Sequence, residues 1–323
     1  MKQRLELELC ARGNRASEQH RRPCKARIGL LRGAASLVGV VCVFLSACAM
    51  EPGPSASAAG GSPRVFDVPA ADERLHATLW QQTSAEYRAL AQSIYSTAKL
   101  QLERALADKQ WTAEPYQKQK GDFRNLPPAV IMDIDETVLD TSLFQADLIK
   151  RREEFTGERW HRWLKKNQFP GVPGAVDFIS FAQARGVIVF FVTGRERSVE
   201  QETRNNLRSV GISVPADRDT VLMRGEAKEW GADKASRRKF VADSHRVLLI
   251  IGDDLGDFIS EYKGTPRSRI NAALKHEEWG AKWLILPNGI YGSWVGSLYG
   301  FDFQLGKEEI SRRKFERLDS VLD

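Results

Sequence analysis

Four largely apolar segments of the chain predict buried strands. They lie at 129–132, 187–192, 246–251 and 283–286, and a shorter strand is predicted at 220–223. Apolar runs without alternating polar positions are typical of parallel strands that are covered on both faces. Helical segments with short connections separate them. The pattern therefore predicts an α/β fold with a doubly wound, mostly parallel sheet of the Rossmann type.

Helical periodicity is clearest in segment 70–108, which has no internal proline or glycine. We expect one or two helices there, packed against the sheet domain. Their apolar positions are Leu75, Leu79, Tyr87, Leu90, Ile94, Leu102 and Leu106. Further helices are predicted within 138–152, at 175–184 and at 198–209. About sixty residues separate the polar end of the first strand from that of the second, which leaves room for a small lid but not for a large cap domain.

The amino-terminal segment 1–47 has the pattern of a secretory signal peptide. A basic stretch leads into the uncharged apolar segment 33–47, which ends in small residues. It is shorter than the roughly 20 residues that a membrane-spanning helix needs. Leu45-Ser46-Ala47-Cys48 resembles a bacterial lipobox, which implies cleavage before Cys48 and lipidation of its thiol. An ordinary signal peptide and an uncleaved short anchor are the alternatives.

The residues after the lipobox predict a tethered lipoprotein. Segment 48–69 is rich in proline, glycine, serine and alanine, as in a flexible tether, and the domain is expected at 70–323. Ala49 and Met50 follow Cys48 in place of an acidic retention residue, which favours the outer membrane. The other three cysteines, Cys10, Cys24 and Cys42, lie in the predicted signal peptide. The mature chain would then have no cysteine pair for a disulfide.

The charge distribution argues against binding to a nucleic-acid polymer. The net charge is +6, but 1–47 contains nine of the 48 basic residues and three of the 42 acidic ones. The remaining residues therefore balance, and they show no footprint for a phosphate backbone. Segment 224–239 is highly charged, and we expect most of its basic side chains to be solvated.

Polar clusters follow the three most apolar strands. Asp133 and Asp135 follow the first strand, and Thr193 follows the second. The third strand is followed by Asp253, Asp254 and Asp257. Ligands of open α/β sheets bind beyond the carboxyl ends of the strands, so these side chains are expected to meet. Each cluster alone could be a turn or a helix cap. Together, carboxylates without histidine favour Mg²⁺, and the combination indicates phosphoryl transfer.

The ordered motifs resemble those of the haloacid-dehalogenase-like (HAD-like) phosphatases. Within that superfamily the chain resembles the class C acid phosphatases, the lipoprotein 5′-nucleotidase family. The residues that carry this resemblance are Asp133-x-Asp135-x-Thr137, Thr193, a lysine and Gly252-Asp253-Asp254-x-x-Asp257, with Pro173-Gly174-Ala175 and Pro287-Asn288-x-x-Tyr291-Gly292. The lysine motif departs from the family pattern, reading Asp-Lys-Ala-Ser-Arg, which leaves Lys234 and Lys228 as alternatives.

The resemblance implies a role for each site residue. Asp133 is expected to attack phosphorus, Asp135 to act as general acid and then base, and Thr193 and Lys234 to hold the phosphoryl oxygens. The expected ligands of Mg²⁺ are Asp133, Asp253 and the backbone carbonyl of Asp135. Asp254 or Asp257 is expected to bind it directly or through water. The family also implies a nucleoside monophosphate as substrate and raises the expectation of a homodimer.

Aromatic residues in the predicted loops are candidates for binding the substrate. Trp160, Trp163 and Tyr291 could stack on a nucleobase, and Arg195 is a further candidate for substrate contact. Packing in the core is the alternative for each ring, and for Phe144 most of all. Two other functions remain open. One is a lipoprotein that binds haem or a nucleotide without turnover, and the other is a phosphotransferase that uses the same site.

Overall fold

The computed structural model describes residues 72–215 and 217–318. The chain divides into two units, Met1–Val65 and Phe66–Asp323, and the described residues belong to the second. The predicted signal peptide 1–47, the lipidation site Cys48 and the tether 48–69 lie outside them and stay predictions. In the described ranges, no helix is long and apolar enough to cross a membrane.

The sheet consists of five parallel strands within the described ranges. They are β1 (Pro128–Met132), β2 (Ile188–Glu196), β3 (Val221–Arg224), β4 (Arg246–Gly252) and β5 (Trp283–Ile285). Their order is β3-β2-β1-β4-β5, and every neighbouring pair is parallel. This confirms the predicted doubly wound α/β fold. The chain winds outward from β1 in both directions, so β1 and its neighbours β2 and β4 lie in the middle of the sheet.

Helices cover both faces of this sheet. Their bounds are α1 Leu75–Thr83, α2 Ala85–Ala107, α3 Pro115–Lys120, α4 Ser142–Arg151, α5 Gly157–Leu164, α6 Ala175–Gln183, α7 Glu200–Ser209, α8 Ala235–Ser244, α9 Pro266–Ala273, α10 Ser293–Leu298 and α11 Lys307–Phe315. Alternate residues of β1 pack into two separate apolar clusters. Val130 and Met132 join the cluster that includes α2 and α6, whereas Ala129 and Ile131 join the one that includes α8. Burial on both faces explains why the central residues of the strands are apolar.

Segment 70–108 forms two helices, but their buried face differs from the predicted one. Ser84 separates them and caps α2, its Oγ accepting from the backbone N–H of Tyr87 at 3.1 Å. Three of the predicted leucines are exposed: Leu75, Leu79 and Leu90. The predicted positions Tyr87 and Leu102 are buried, and the rest of the buried face of α2 consists of Ala91, Tyr95, Ala98 and Ala105. Alanines let α2 approach α6 and β4 closely, which a row of leucines would prevent.

The charged segment 224–239 is less solvated than predicted. Arg237 is fully buried and Arg238 is nearly so. Arg237 donates to the backbone carbonyls of Thr193 and Gly231, the latter at 2.9 Å. Arg238 donates to the carbonyl of Asp257 at 3.0 Å. Both guanidinium groups therefore brace loops at the carboxyl edge of the sheet, and buried carbonyls compensate part of their lost hydration.

Candidate active site

The carboxyl ends of β1, β2 and β4 meet at one edge of the sheet. Asp133 directly follows β1, and Asp253 directly follows β4. Strand β2 continues four residues beyond its predicted end at 192, to Glu196. Its register against β3 shifts between Val192 and Glu196, so residues 193–195 form an irregular stretch. Such bulges re-aim side chains next to active sites.

Three carboxylates and one ammonium group form the centre of the site. One carboxylate oxygen from each of Asp133, Asp253 and Asp257 lies within 4.8 Å of the others. Lys234 Nζ contacts Asp133 and donates to Asp257 Oδ1 at 2.5 Å. This geometry favours Lys234 over Lys228 as the lysine of the third motif. It also brings together groups that are 101 and 23 residues apart in the chain.

Burial and neighbouring charges shift the pKa values of the groups in this cluster. Burial raises the pKa of Asp133 to about 7, although the neighbouring Lys234 ammonium acts in the opposite direction. Burial also raises the pKa of Asp253 well above its usual range, and the charges of Asp133 and Asp257 add to the increase. Burial acts to lower the pKa of Lys234, but these carboxylates outweigh it and the pKa is raised. Three carboxylates facing one ammonium group fit a divalent cation, because oxygen ligands suit hard cations.

Hydrogen bonds from three separate segments hold the cluster in place. Thr137 Oγ1 donates to Asp253 Oδ1 at 3.1 Å, and Asn288 Nδ2 donates to Asp253 Oδ2 at 2.8 Å. Asp257 Oδ2 accepts from the backbone N–H groups of Asp253 and Asp254, at 3.0 and 2.9 Å. A Cβ atom at Gly252 would overlap the Asp257 carboxylate, so the loop needs glycine there.

Asp254 does not join the three carboxylates. Its Oδ1 accepts from Gly256 N at 2.8 Å and from Ser293 Oγ at 2.6 Å, and its Oδ2 accepts from Ser293 N at 2.6 Å. The predicted metal ligand is thus a loop residue that ties the end of β4 to the start of α10. The sequence left Asp254 and Asp257 as alternatives for this ligand. The structure places Asp257 beside Asp133 and Asp253.

Asp135 is held by Arg195, which the sequence predicted to contact the substrate. Arg195 Nη2 donates to Asp135 Oδ1 at 2.7 Å, and Nε lies 3.2 and 3.1 Å from the two carboxylate oxygens. Nη1 donates to Asn206 Oδ1 at 3.0 Å and lies 3.3 Å from Thr203 Oγ1. The Arg195 side chain is only 1% exposed. Its donors are directed at protein groups, so we describe Arg195 as a residue that positions Asp135.

Thr193 is fully buried at the bulge of β2. Its hydroxyl accepts from Arg195 N at 3.1 Å, and its carbonyl accepts from Arg237. Arg237 is a site residue that sequence reasoning missed. Its position in a charged segment suggested solvation, and only the packing of α8 against β2 reveals its contact.

Glu136, which also went unnoticed, shapes the loop after Asp135. It has a left-handed backbone with φ +57°, which is uncommon for a residue with a side chain. Its Oε1 accepts from Thr141 N at 3.0 Å and from Thr141 Oγ1 at 2.6 Å. Burial raises the pKa of Glu136 well above its usual range, and the Asp135 charge adds to this. Asp135-Glu136-Thr137 thus turns sharply, with Glu136 inside the protein.

Two adjoining cavities lie at this edge. The smaller, of about 230 Å³, is lined by Asp133, Lys234 and the Asp253–Asp257 loop. The larger, of about 740 Å³, is lined by Phe144, Phe155, Trp160, Tyr291, Trp294 and Tyr299, with charged residues between them. Asp135, Gly194 and Tyr291 line both cavities. A bound molecule could therefore extend from the acidic cluster into an aromatic chamber.

The candidate stacking residues occupy different places. Trp160 and Tyr291 line the larger cavity. Trp163 is 8% exposed and belongs to the apolar core, and it is not among the residues that line that cavity. Phe144 lies between the two tryptophans, with ring centroids 5.0 Å from Trp160 and 5.6 Å from Trp163. The side chain of Phe144 is 2% exposed, so it supports the cavity wall mainly by packing.

A family model and solved structures match this chain. The model of the HAD superfamily, subfamily IIIB (acid phosphatase) covers residues 62–294. The chain belongs to this family. The enzyme class predicted from the sequence, a phosphomonoesterase, is that of the family. Its match spans β1 to β5 and every residue of the acidic cluster.

The class C acid phosphatase of Bacillus anthracis has a similar structure. It superposes with a TM-score of 0.66 at 31% identity, over 76% of this chain and 97% of that one. The same Bacillus enzyme with tungstate bound gives a TM-score of 0.66 at 29% identity, with the same shares of both chains. These likenesses confirm the resemblance to the class C acid phosphatases and the HAD-like fold.

Curated relatives come from soybean, Glycine max. A stem 31 kDa glycoprotein is 24% identical over 141 residues, 43% of this chain and 55% of that protein. A stem 28 kDa glycoprotein is 22% identical over 146 residues, again 43% of this chain and 55% of that protein. The chain thus spans about half the length of these curated relatives.

Proposed function

We propose that this acid phosphatase family member hydrolyses phosphomonoesters at the acidic cluster with the help of Mg²⁺. The observation that carries the proposal is the contrast between its first two aspartates. Asp133 lies among buried charges beside Lys234, whereas Asp135 is held by the Arg195 guanidinium on the wall that the two cavities share. One carboxylate is thus placed towards a phosphoryl group and the other towards its leaving group.

The proposed reaction proceeds in two displacements. In the first, an Asp133 oxygen attacks phosphorus, the ester P–O bond breaks, and Asp135 gives its proton to the departing alcohol. In the second, water attacks the phosphoryl group on Asp133 and passes a proton to Asp135. The P–O bond to Asp133 then breaks, releasing inorganic phosphate. Lys234 offsets the phosphoryl charge throughout, and Thr193 is the candidate hydroxyl donor.

Mg²⁺ would be held by the carboxylates of Asp133, Asp253 and Asp257 and by the carbonyl of Asp135. When bound, it supplies positive charge against the phosphoryl oxygens. Thr137 and Asn288 support the proposal because they orient Asp253, and residues around a metal site commonly fix its ligands in this way.

Metal dependence and turnover are tested together on the full chain purified in detergent. Release of inorganic phosphate from a panel of phosphomonoesters is measured after EDTA treatment and after return of Mg²⁺, Mn²⁺ or Ca²⁺. We expect activity to disappear with EDTA and to return best with Mg²⁺. Tight binding of nucleotide or haem without phosphate release would instead support the binding lipoprotein. Transfer of phosphate to added glycerol in preference to water would support a phosphotransferase.

Nucleoside 5′-monophosphates are the proposed substrate class. The larger cavity supports this, because about 740 Å³ lies within the usual range for small-molecule sites and its walls are aromatic. Stacking on a ring is worth roughly 1–3 kcal/mol for any base. Comparing kcat/KM of nucleotides with that of glycerol phosphate tests the proposal, and equal values would leave only a general phosphatase.

The proposed location is the outer membrane, with a lipid anchor at Cys48. The support comes from sequence alone: the apolar segment 33–47, Leu45-Ser46-Ala47-Cys48, and Ala49 and Met50 in place of an acidic retention residue. Cys48→Ala should lose labelling by a radioactive fatty acid and leave the membrane fraction, with turnover retained. Unchanged fractionation would point to an uncleaved anchor.

A homodimer is proposed from the family alone. Sedimentation velocity of the Cys48→Ala variant, purified without detergent, tests it.

A further inference from the structure

Two oppositely charged side chains on the cavity wall have no hydrogen-bond or ion-pair partner among residues 72–215 and 217–318. Glu196 ends β2 and Arg224 ends β3, and both line the larger cavity. They are register partners on neighbouring strands. In the described part of the chain, neither side chain forms an ion pair or a hydrogen bond with another side chain or with the backbone. Their backbone positions lie side by side, and both residues line the cavity.

Three other basic side chains on this wall form ion pairs with carboxylates of the protein. Arg74 pairs with Asp72 at 2.7 Å, Arg195 with Asp135 at 2.7 Å, and Lys314 with Glu73. Arg224 differs from them because its guanidinium is left for solvent or a ligand. A second phosphate is a poor occupant, since the Glu196 carboxylate beside it would repel an anion. The pair suits a neutral group that offers donors to the carboxylate and acceptors to the guanidinium.

The distance from the acidic cluster fits the length of a nucleotide. Met132 of β1 is level with Phe191 of β2, which is level with Val221 of β3. Asp133 lies one residue beyond this level and Arg224 three residues beyond it. Two strand spacings and two residue steps place their Cα atoms about 12 Å apart. A phosphate at Asp133 and a base edge at Arg224 are therefore compatible with one nucleoside monophosphate.

A stacking surface lies close to this pair. Trp160 lines the same cavity, and the Arg195 guanidinium is 5.3 Å from the centre of its ring. Arg195 directly precedes Glu196, and the ring, Glu196 and Arg224 all line the same cavity. A base stacked on an aromatic wall here would present its polar edge to residues at the ends of β2 and β3.

We infer that Glu196 and Arg224 read the edge of a purine base and favour guanine. Guanine offers N1–H and N2–H donors to a carboxylate and O6 and N7 acceptors to an arginine fork, which is a favoured pairing for arginine. Adenine has an amino group in place of O6 and lacks the N1 proton. Hypoxanthine keeps O6, N7 and N1–H but lacks the amino group at C2. The inference rests on the proposed nucleotidase function and narrows it to guanine nucleotides.

The test compares kcat/KM for GMP, IMP, AMP and 4-nitrophenyl phosphate, using the full chain with Mg²⁺. The wild-type protein is expected to prefer GMP over AMP by about tenfold or more, with IMP between them. Arg224→Gln should remove most of the preference for GMP over AMP, mainly through KM. Glu196→Gln should remove most of the preference for GMP over IMP. All variants should use 4-nitrophenyl phosphate like the wild type.

Arg197→Gln is the matched control. It removes an exposed arginine one residue from Glu196, and Arg197 is not among the residues that line the larger cavity. Equal use of GMP and AMP by the wild type would overturn the inference while leaving the nucleotidase proposal intact. So would an equal loss for all four substrates in Arg224→Gln. If no nucleotide is used better than glycerol phosphate, the nucleotidase proposal fails as well, so the two failures are distinguished.

Discussion

The two cavities at the edge of the sheet differ in how fully the protein itself engages the side chains that line them. In the smaller one, Lys234 contacts both Asp133 and Asp257, and Asp253 accepts from Thr137 and Asn288. In the larger one, aromatic rings such as Phe155 and Trp294 are 58% and 40% exposed. The smaller cavity is a preorganised electrostatic site, whereas the larger one leaves donors and apolar surface for a ligand to cover.

The difference follows from the elements that build each cavity. The smaller one takes its carboxylates from residues at or just beyond the ends of β1 and β4, which are held by two backbone ladders each. The larger one takes most of its walls from α4, α5, α10 and the loops near them, and the ends of β2 and β3 contribute the rest. Rigid strand ends suit chemistry, which depends on sub-ångström placement. Helical and loop walls suit recognition, because they can differ between relatives without disturbing the reacting groups.

Replacing Asp133 is expected to have the largest effect and would separate the two cavities most clearly. Asp133→Asn should lower kcat by about three orders of magnitude or more, since no other group can take the phosphoryl intermediate. Binding of a nucleotide in the larger cavity should persist, as measured by calorimetry. Asp122→Asn, at an exposed position, is the control. Near-normal turnover of Asp133→Asn would contradict the proposed chemistry.

Arg195 tests the boundary between the cavities. Arg195→Met should lower kcat for nucleotides by about 10–100-fold, because Asp135 would lose the guanidinium that orients it as general acid. An aryl phosphate with a good leaving group should lose much less. Arg195→Lys should be intermediate, since lysine keeps the charge but not the planar fork. An equal loss on both substrates would show that Arg195 only maintains the fold around Asn206.

Tyr291 tests recognition in the larger cavity. Tyr291→Ala should raise KM for nucleoside monophosphates about tenfold with kcat little changed, because stacking contributes to ground-state and transition-state binding alike. Glycerol phosphate should be unaffected. Tyr291→Phe keeps the ring and loses only the 3.4 Å contact with Thr141 Oγ1, so it should resemble the wild type. Damage to both substrates would make Tyr291 a structural residue.

Trp163 is expected to have the smallest effect on turnover and the clearest effect on stability. Trp163→Ala should lower the free energy of unfolding by about 3 kcal/mol through the cavity that it creates. Turnover per folded molecule should change little, because the ring packs in the core. Trp160→Ala is the matched variant, which should raise KM for nucleotides. Urea unfolding and steady-state kinetics separate the two outcomes, and the reverse pattern would exchange the roles of the rings.

Much of the fold and the centre of the site follow from local sequence pattern. The segments 129–132 and 246–251 are apolar at nearly every position, and this predicts strands that are covered on both faces. Chain direction then places Asp133, Thr193 and Asp253 at one edge of a parallel sheet, whatever the details of packing. The resemblance to class C acid phosphatases rests on those same residues, and the family match confirms it.

Only the tertiary structure decided which side chains contact one another. Arg195 and Asp135 are 60 residues apart, and Asp254 meets Ser293 across 39 residues. Neither contact has a local signal. Leu75 and Leu79 have helical spacing yet are exposed, while the alanines of α2 are buried, because the partner surface selects which face is covered. Local pattern reflects the average environment of a residue, whereas a hydrogen bond or a buried ring depends on neighbours that folding brings from elsewhere in the chain.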